Sequence, residues 1–503
     1  MNYRLMARFL GYIIGGTGAV MVFSLLWAVW FWEPYAIFGI GASMAVALLV
    51  AGLLWIIGRT ASDKLYQREA LGLVGMSWLG ASLVAALPYW FSGELTLVFA
   101  IFEGTSGITT TGASILDDIE SMPHSLLFWR GFTQWLGGMG IILLFIAILP
   151  YLGAGGKQLF RGESSGPDPR SLKPRIRESA AVLWTIYLML TLVQTVLLML
   201  GGMDFFYALC HSFSSVSTGG FSPHNDSIAL YNNLYMEVVI IVFMVIAGTN
   251  FGLFFDLRQG NYKVLLKDRE WRTYMALLAG ATLLITLNLS GWLGVSTEIA
   301  EGPGMTAVEQ EALRYEEGHA LRVAAFQVAS IMTGTGFSTD DFNQWPALSR
   351  ITLVVLMFIG GCAGSTSGGL KVVRVLLMLK IAYWRLEKTF RPKTIRAVRL
   401  GGTIIDDDTQ RTMASFMVIY GVWMLFGFML LGALGVPFET AVTAVISTIN
   451  IVGPGLGLVG PAESYAIIPD LGKLYLSLLM ILGRLELFAV TVLFVPAFWR
   501  IGR

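Results

Sequence analysis

Four short stretches of this chain combine Thr or Ser hydroxyls with glycine inside otherwise apolar sequence. They read FEGTSGITTTGAS (102–114), CHSFSSVSTGGFS (210–222), QVASIMTGTGFST (327–339) and TAVISTINIVGPG (443–455). Aligned, they place Gly112, Gly220, Gly336 and Gly453 in register at near-constant intervals. The chemistry they offer is oxygen coordination: a cation stripped of water needs oxygen ligands in return, and rings of backbone carbonyls supply them in selective ion channels. Glycine adopts φ > 0 without a Cβ clash, so successive carbonyls can turn toward one axis. The candidate coordinating residues are Thr110, Thr111 and Gly112; Thr218, Gly219 and Gly220; Thr335 and Gly336; and Asn450, Ile451, Val452 and Gly453. Neighbouring hydroxyls, Thr109, Ser217 and Thr333 among them, are placed to hold such a hairpin from behind.

These segments need elements to carry them. Each follows an apolar stretch (95–106, 205–216, 321–332, 439–448) shorter than the roughly 20 residues a bilayer crossing requires. A half-helix that enters and returns exposes irregular backbone at membrane depth, which is tolerated only where it is buried in protein or lines water. The chain as a whole supports a bilayer setting: 55% of its 503 residues are hydrophobic, 13% are charged, and the mean hydropathy is +0.68. Ten apolar runs fit membrane crossings, at 9–32, 36–57, 70–91, 126–150, 180–202, 233–256, 273–294, 348–380, 412–435 and 472–498. The expected fold is an all-α integral membrane protein. A helix pair (1–69) precedes four helix, half-helix, helix repeats (70–178, 179–270, 271–410 and 411–503) around one central pore.

Charge orients it. Basic residues cluster at the N-terminus, 59–68, 157–177, 258–272, 380–411 and the C-terminus, and acidic residues fill the alternate loops, including Asp117, Asp118, Glu120, Asp226, Asp340, Asp341, Glu463 and Asp470. Positive-inside orientation then puts both termini in the cytoplasm, and it accounts for the basic loops without nucleic acid, leaving anionic lipid as their natural neighbour.

Other chemistries find little support. No GxxxxGK[ST] phosphate loop occurs. His124, His211, His224 and His319 are scattered without ligand spacing, and no nucleophile, base and orienter stand together, so an enzyme is not expected. Cys210 and Cys362 do not make a disulfide framework.

Two further features lie on the cytoplasmic side of the glycine segments. Gly360, Gly361, Gly364, Ser365, Thr366, Ser367, Gly368 and Gly369 interrupt the apolar run at 348–380 with a stretch too rich in glycine for a helix interior. Arg484 stands inside an apolar run, where a lone guanidinium costs about 2.5 to 3.5 kcal/mol and needs either a pore or a partner. Glu486, two residues away, is poorly placed to be that partner on a straight helix.

With TTTGA (109–113), STGGF (217–221), TGTGF (333–337), NIVGPG (450–455), GGCAGSTSGG (360–369) and GRLELF (483–488) on the page, the chain resembles the TrkH branch of the Trk/Ktr/HKT superfamily of potassium uptake proteins over its whole length. The resemblance implies that the four aligned glycines form a selectivity filter holding potassium at Thr111, Gly112, Gly219, Gly220, Thr335, Gly336, Val452 and Gly453. Glycine in all four repeats goes with K⁺ preference. It implies that segment 360–369 is an intramembrane gating loop and that Arg484 projects into the path beneath the filter. It also implies a homodimer in the bacterial inner membrane, working with a cytosolic nucleotide-binding subunit of TrkA type, with K⁺ as cargo and no covalently bound cofactor. An H⁺- or Na⁺-coupled symporter is the alternative; it would call for an intramembrane carboxylate, and in the filter segments only Glu103 is available.

Overall fold

The computed structural model describes residues 1–61, 66–148, 172–258, 260–293, 315–392, 399–400 and 403–499. Residues 157–171 of the basic stretch expected at 157–177, and the acidic residues Glu298, Glu301, Glu309 and Glu311 of a further acidic loop, lie outside them.

The described chain is almost entirely helical. An antiparallel pair, α1 (Tyr3–Trp30) and α2 (Pro34–Gly58), leads the chain, with the side chain of Asn2 capping α1 at Leu5 N (3.1 Å). Four units follow, each made of a helix, a half-helix and a returning helix. The first comprises α3 (Gln67–Phe91), α4 (Leu97–Thr109) and α5 (His124–Ile148). The second comprises α6 (Leu172–Leu200), α7 (Phe205–Val216), and α8 (Leu234–Ala247) with α9 (Phe251–Arg258). The third comprises α10 (Arg269–Leu289), α11 (Glu317–Thr333), and α12 (Ala347–Ile359) with α13 (Val372–Phe390). The fourth comprises α14 (Asp407–Ala433), α15 (Phe438–Asn450) and α16 (Asp470–Arg484). The strands Arg399–Leu400 and Thr403–Ile404 form a two-residue antiparallel hairpin before α14.

Among the described residues six helices are long and apolar enough to span a membrane singly: α1, α2, α3, α6, α10 and α14. The returning helices of units two, three and four are broken instead of continuous. The run expected at 233–256 bends by 94° between α8 and α9. The run at 348–380 opens between Ile359 and Val372, and that at 472–498 ends at Arg484, with Glu486 and Leu487 at positive φ. Each break frees backbone groups that must find partners inside the protein. At the bend, the carbonyls of Ala247 and Gly248 accept from Thr366 N (3.3 Å) and Cys362 N (2.9 Å), and Phe251 N donates to Gly364 O (3.1 Å). The interruptions of units two and three therefore satisfy each other.

The units close into a ring. Half-helix α7 packs on α5, α11 on α8, α15 on α12 and α4 on α16, so each meets the returning helix of the unit before it and the fourth unit meets the first. The N-terminal pair lies outside the ring: α1 packs on α3 and α5, and Glu33 accepts from His124 N (2.6 Å) and Ser125 N (3.1 Å), capping α5 across units.

Candidate functional site

All four half-helices point their C-termini inward and end in the same way. The residues that turn the chain, Thr110, Gly334 and Ile451 directly after their helices and Thr218 after Ser217, take positive φ (59°, 75°, 58° and 53°). In each case that residue's N–H donates three residues back, and the following N–H donates five residues back: Thr111 N to Ser106 O (2.9 Å), Gly219 N to Ser214 O (2.7 Å), Thr335 N to Ser330 O (2.9 Å) and Val452 N to Ser447 O (3.0 Å). This is a Schellman cap repeated four times, with a serine at the accepting position each time. It turns the chain sharply out of the helix, and the carboxyl ends of four helix dipoles then converge on one region, favouring positive charge there.

Two residues after each cap comes the aligned glycine, again at positive φ: Gly112 (80°), Gly220 (77°), Gly336 (83°) and Gly453 (100°). A Cβ on Gly112 would strike the carbonyl oxygen of Gly219, one on Gly220 that of Thr335, one on Gly336 that of Val452, and one on Gly453 would come within 2.8 Å of that of Thr111. Each hairpin thus faces the next in cyclic order, and the fourth returns to the first. The carbonyls of Thr111, Gly219, Thr335 and Val452 form one layer, and glycine is required for the approach. One layer deeper, Ile451 O would lie 2.6 Å from a Cβ on Gly334.

The side chains lie behind this ring. Thr109 and Thr111 share a hydroxyl contact (2.8 Å), as do Thr333 and Thr335 (2.7 Å), and Thr109 and Thr333 donate to Thr105 O and Ala329 O. Ser447 Oγ and Tyr465 Oη donate to Gly453 O (2.7 and 2.8 Å). Burial lifts the Tyr465 phenol well above its ordinary pKa, so it remains a donor. Gln134 brackets Gly220, donating to Gly219 O (2.7 Å) and accepting from Phe221 N (3.0 Å). Asn450 is the last helical residue of α15, and its side chain turns away to Tyr420 Oη (2.9 Å) and Ile446 O (2.9 Å). Its backbone carbonyl lies against Gly368, below the layer formed by Thr111, Gly219, Thr335 and Val452.

Above the ring opens a cavity of about 300 Å³ reached by Gly112, Gly220, Gly336 and Gly453 and by polar residues such as Asp117 and Glu463. Below it the space shrinks to about 20 Å³, room for about one water, bordered by Gly368, Lys371, Asn450, Ile451 and Arg484. The stretch between α12 and α13 fills the region beneath. Its Thr366 hydroxyl reaches Ala247 O (3.1 Å), Val216 O (3.3 Å) and the Thr218 hydroxyl (3.3 Å) under the second hairpin, and Gly368 lies against Asn450 O under the fourth. Gly361 N donates to Ser367 Oγ (3.0 Å), Ser365 Oγ donates to Cys362 O (2.6 Å), and Lys371 Nζ donates to Ser367 O. Gly360, Gly364 and Gly369 all have positive φ.

Arg484 is buried and, among the described residues, finds no carboxylate. It donates to Thr366 O (2.6 Å) and Gly137 O (3.3 Å), leaving Nε without a partner, whereas Glu486 pairs with Arg374. The guanidinium thus joins the interrupted stretch to α5 beneath the ring. Glu270, in the first turn of α10, accepts from Ala363 N (2.7 Å) and Val373 N (3.2 Å), holding both ends of the same stretch.

The sequence reading missed Glu270, Gln134, the Glu103–Arg130 pair beside the first hairpin, and the four cap serines. Only the serines left a signal in one repeat at a time: each stands six residues before its glycine. Among the described residues no cluster of His, Cys, Asp or Glu is suited to a resident metal.

The profile of the TrkH family, described as "Cation transport protein", matches residues 37–501. The chain is 36% identical to the Trk system potassium uptake protein TrkH of Salmonella typhimurium, across 99% of this chain and all of that protein. It is 32% identical to the Trk system potassium uptake protein TrkG of Escherichia coli, across 93% of each. The crystal structure of the potassium transporter TrkH from Vibrio parahaemolyticus superposes with a TM-score of 0.87 at 31% identity, covering 99% of this chain and all of that one. By sequence across its length and by fold, the chain belongs to the TrkH family of cation transport proteins.

Proposed function

We propose that this chain takes up potassium across the bacterial cytoplasmic membrane through a channel-like filter. The observation that carries the reading is the cyclic approach of Gly112, Gly220, Gly336 and Gly453 to the carbonyls of Gly219, Thr335, Val452 and Thr111. A closed layer of backbone oxygens, backed by four helix C-termini, is the ligand set a dehydrated monovalent cation needs. That its relatives are potassium uptake proteins of the Trk system supports potassium as the ion. The pore repeats are 70–178, 179–270, 271–410 and 411–503, and both termini face the cytoplasm.

The stretch 360–369 is the gate, held shut by Thr366, Arg484 and Glu270, and the positive charge of Arg484 raises the barrier under the filter. A cytosolic nucleotide-binding subunit of TrkA type acts on the basic inner face of a homodimer to release it. The membrane potential drives uptake: at about 2.3 kcal/mol per charge per 100 mV, it supports roughly fiftyfold accumulation at 100 mV. Coupling to H⁺ or Na⁺ is less favoured, because Glu103, the one carboxylate in the filter segments, is already paired with Arg130.

The test is purified protein in liposomes with rubidium tracer flux under an imposed potential. Gly112→Ser weakens discrimination against Na⁺, and Arg484→Ala raises flux. Wild-type permeation in both variants overturns the filter and the barrier assignments together.

A further inference from the structure

Beside the first hairpin, Glu103 of α4 and Arg130 of α5 form an ion pair (2.8 Å) in which both side chains are almost fully buried. Burying two charges is costly unless their remaining donors and acceptors are also satisfied, so the other contacts of the pair carry its role. Glu103 also accepts from Ile115 N (3.1 Å) and from Ser114 Oγ (3.2 Å), fixing the strand that leaves Gly112. The second and third guanidinium nitrogens of Arg130 donate to Ser222 O (2.9 Å), two residues past Gly220, and to Ser114 Oγ (3.1 Å). The guanidinium carbon lies 4.2 Å from the centroid of the Phe221 ring. Ser114 O in turn accepts from Tyr465 N (2.9 Å), and Tyr465 Oη donates to Gly453 O. One fork of donors therefore ties the exit strands of the first and second hairpins together and reaches the fourth through Ser114.

We propose that Arg130 and Glu103 are positioning residues for ion discrimination: their buried pair sets the separation of the first, second and fourth hairpins, and so the size of the carbonyl ring. The proposal rests on reading that ring as the selectivity filter. Both the charge and the geometry matter. Arg130 also borders the outer cavity, where an unpaired cation would repel the ions approaching the ring. A lysine at 130 keeps the charge opposite Glu103 but lacks the planar fork, so it cannot hold Ser222 O and Ser114 Oγ at the same time.

The test is K⁺ and Na⁺ flux into liposomes, measured on the full chain as wild type, Arg130→Lys, the double variant Glu103→Gln/Arg130→Gln, and Gly112→Ser. Arg130→Lys is expected to keep K⁺ flux while its K⁺/Na⁺ ratio falls by about tenfold, equivalent to about 1.4 kcal/mol of differential coordination. The double variant, which leaves no unpaired buried charge, is expected to lose discrimination to a similar extent; it decides the matter alone should the lysine variant fail to accumulate. An unchanged ratio in whichever of these variants accumulates, with Gly112→Ser altered, overturns the positioning role and leaves the filter reading intact. If Gly112→Ser is also unchanged, the filter reading itself fails.

Discussion

Replacing Gly220 by alanine separates backbone strain from ring geometry. Gly220 has φ +77°, and a Cβ there meets the carbonyl of Thr335 at a separation that no real Cβ tolerates, so the Thr335 peptide must move. Gly93 provides the control: its φ is +83°, it lies in the turn between α3 and α4, and a Cβ there meets nothing within 4 Å. An alanine in the left-handed region costs about 1–2 kcal/mol at either site. Both variants therefore share that strain, and Gly220→Ala adds to it the cost of displacing the Thr335 peptide, so it should lose more thermal stability than Gly93→Ala. Only Gly220→Ala displaces an oxygen of the ring. Displacing one of the four oxygens changes the size of the ring, which the two cations sense differently; a differential change of about 1.4 kcal/mol would lower discrimination between K⁺ and Na⁺ about tenfold. The assay is tracer flux into liposomes under an imposed potential, with protein amount and melting temperature measured on the same preparations. Equal K⁺/Na⁺ ratios in Gly220→Ala and Gly93→Ala would refute the reasoning, because strain alone would then explain every effect.

Three further outcomes follow from the contacts beneath and behind the ring. Glu270→Gln keeps an acceptor for Ala363 N and Val373 N but removes its charge; weakening both bonds by about 1–3 kcal/mol in total should raise flux in the absence of any cytosolic partner, measured in the same liposomes. Thr366→Val deletes the hydroxyl that reaches Ala247 O and Val216 O, so the gate stretch should exchange its amide hydrogens faster by mass spectrometry while the outer hairpins stay protected. Tyr465→Phe removes one of two side-chain donors to Gly453 O, and because Ser447 remains, the K⁺/Na⁺ ratio should drop less than in Gly220→Ala.

Much of the architecture is legible in the sequence because it rests on local rules. Half-helices too short to span and the glycine-rich interruption at 360–369 are each visible within a window of one repeat, and the glycines in register need only the four repeats laid side by side. What stays hidden depends on partners far along the chain. The bend at Gly248 exists because residues 362–366, over a hundred positions later, supply its donors and acceptors. The spacing near position 484 already sets Glu486 aside from Arg484, but nothing there shows that Glu486 pairs with Arg374, over a hundred positions earlier. The bond from Tyr420 Oη to Asn450 Oδ1 joins two helices and leaves no sign at either position. The Glu103–Arg130 pair joins two helices whose packing had to be known before the pair could be seen.

The central claim is that the carbonyls of Thr111, Gly219, Thr335 and Val452 are the ion's ligands. Crystals of the full chain grown in rubidium, with anomalous diffraction collected at the rubidium edge, test it most directly. The account predicts a strong anomalous peak on the axis between these four oxygens, lost or displaced in Gly220→Ala. A wild-type map with no peak in the ring, and rubidium bound elsewhere along the path, would contradict it.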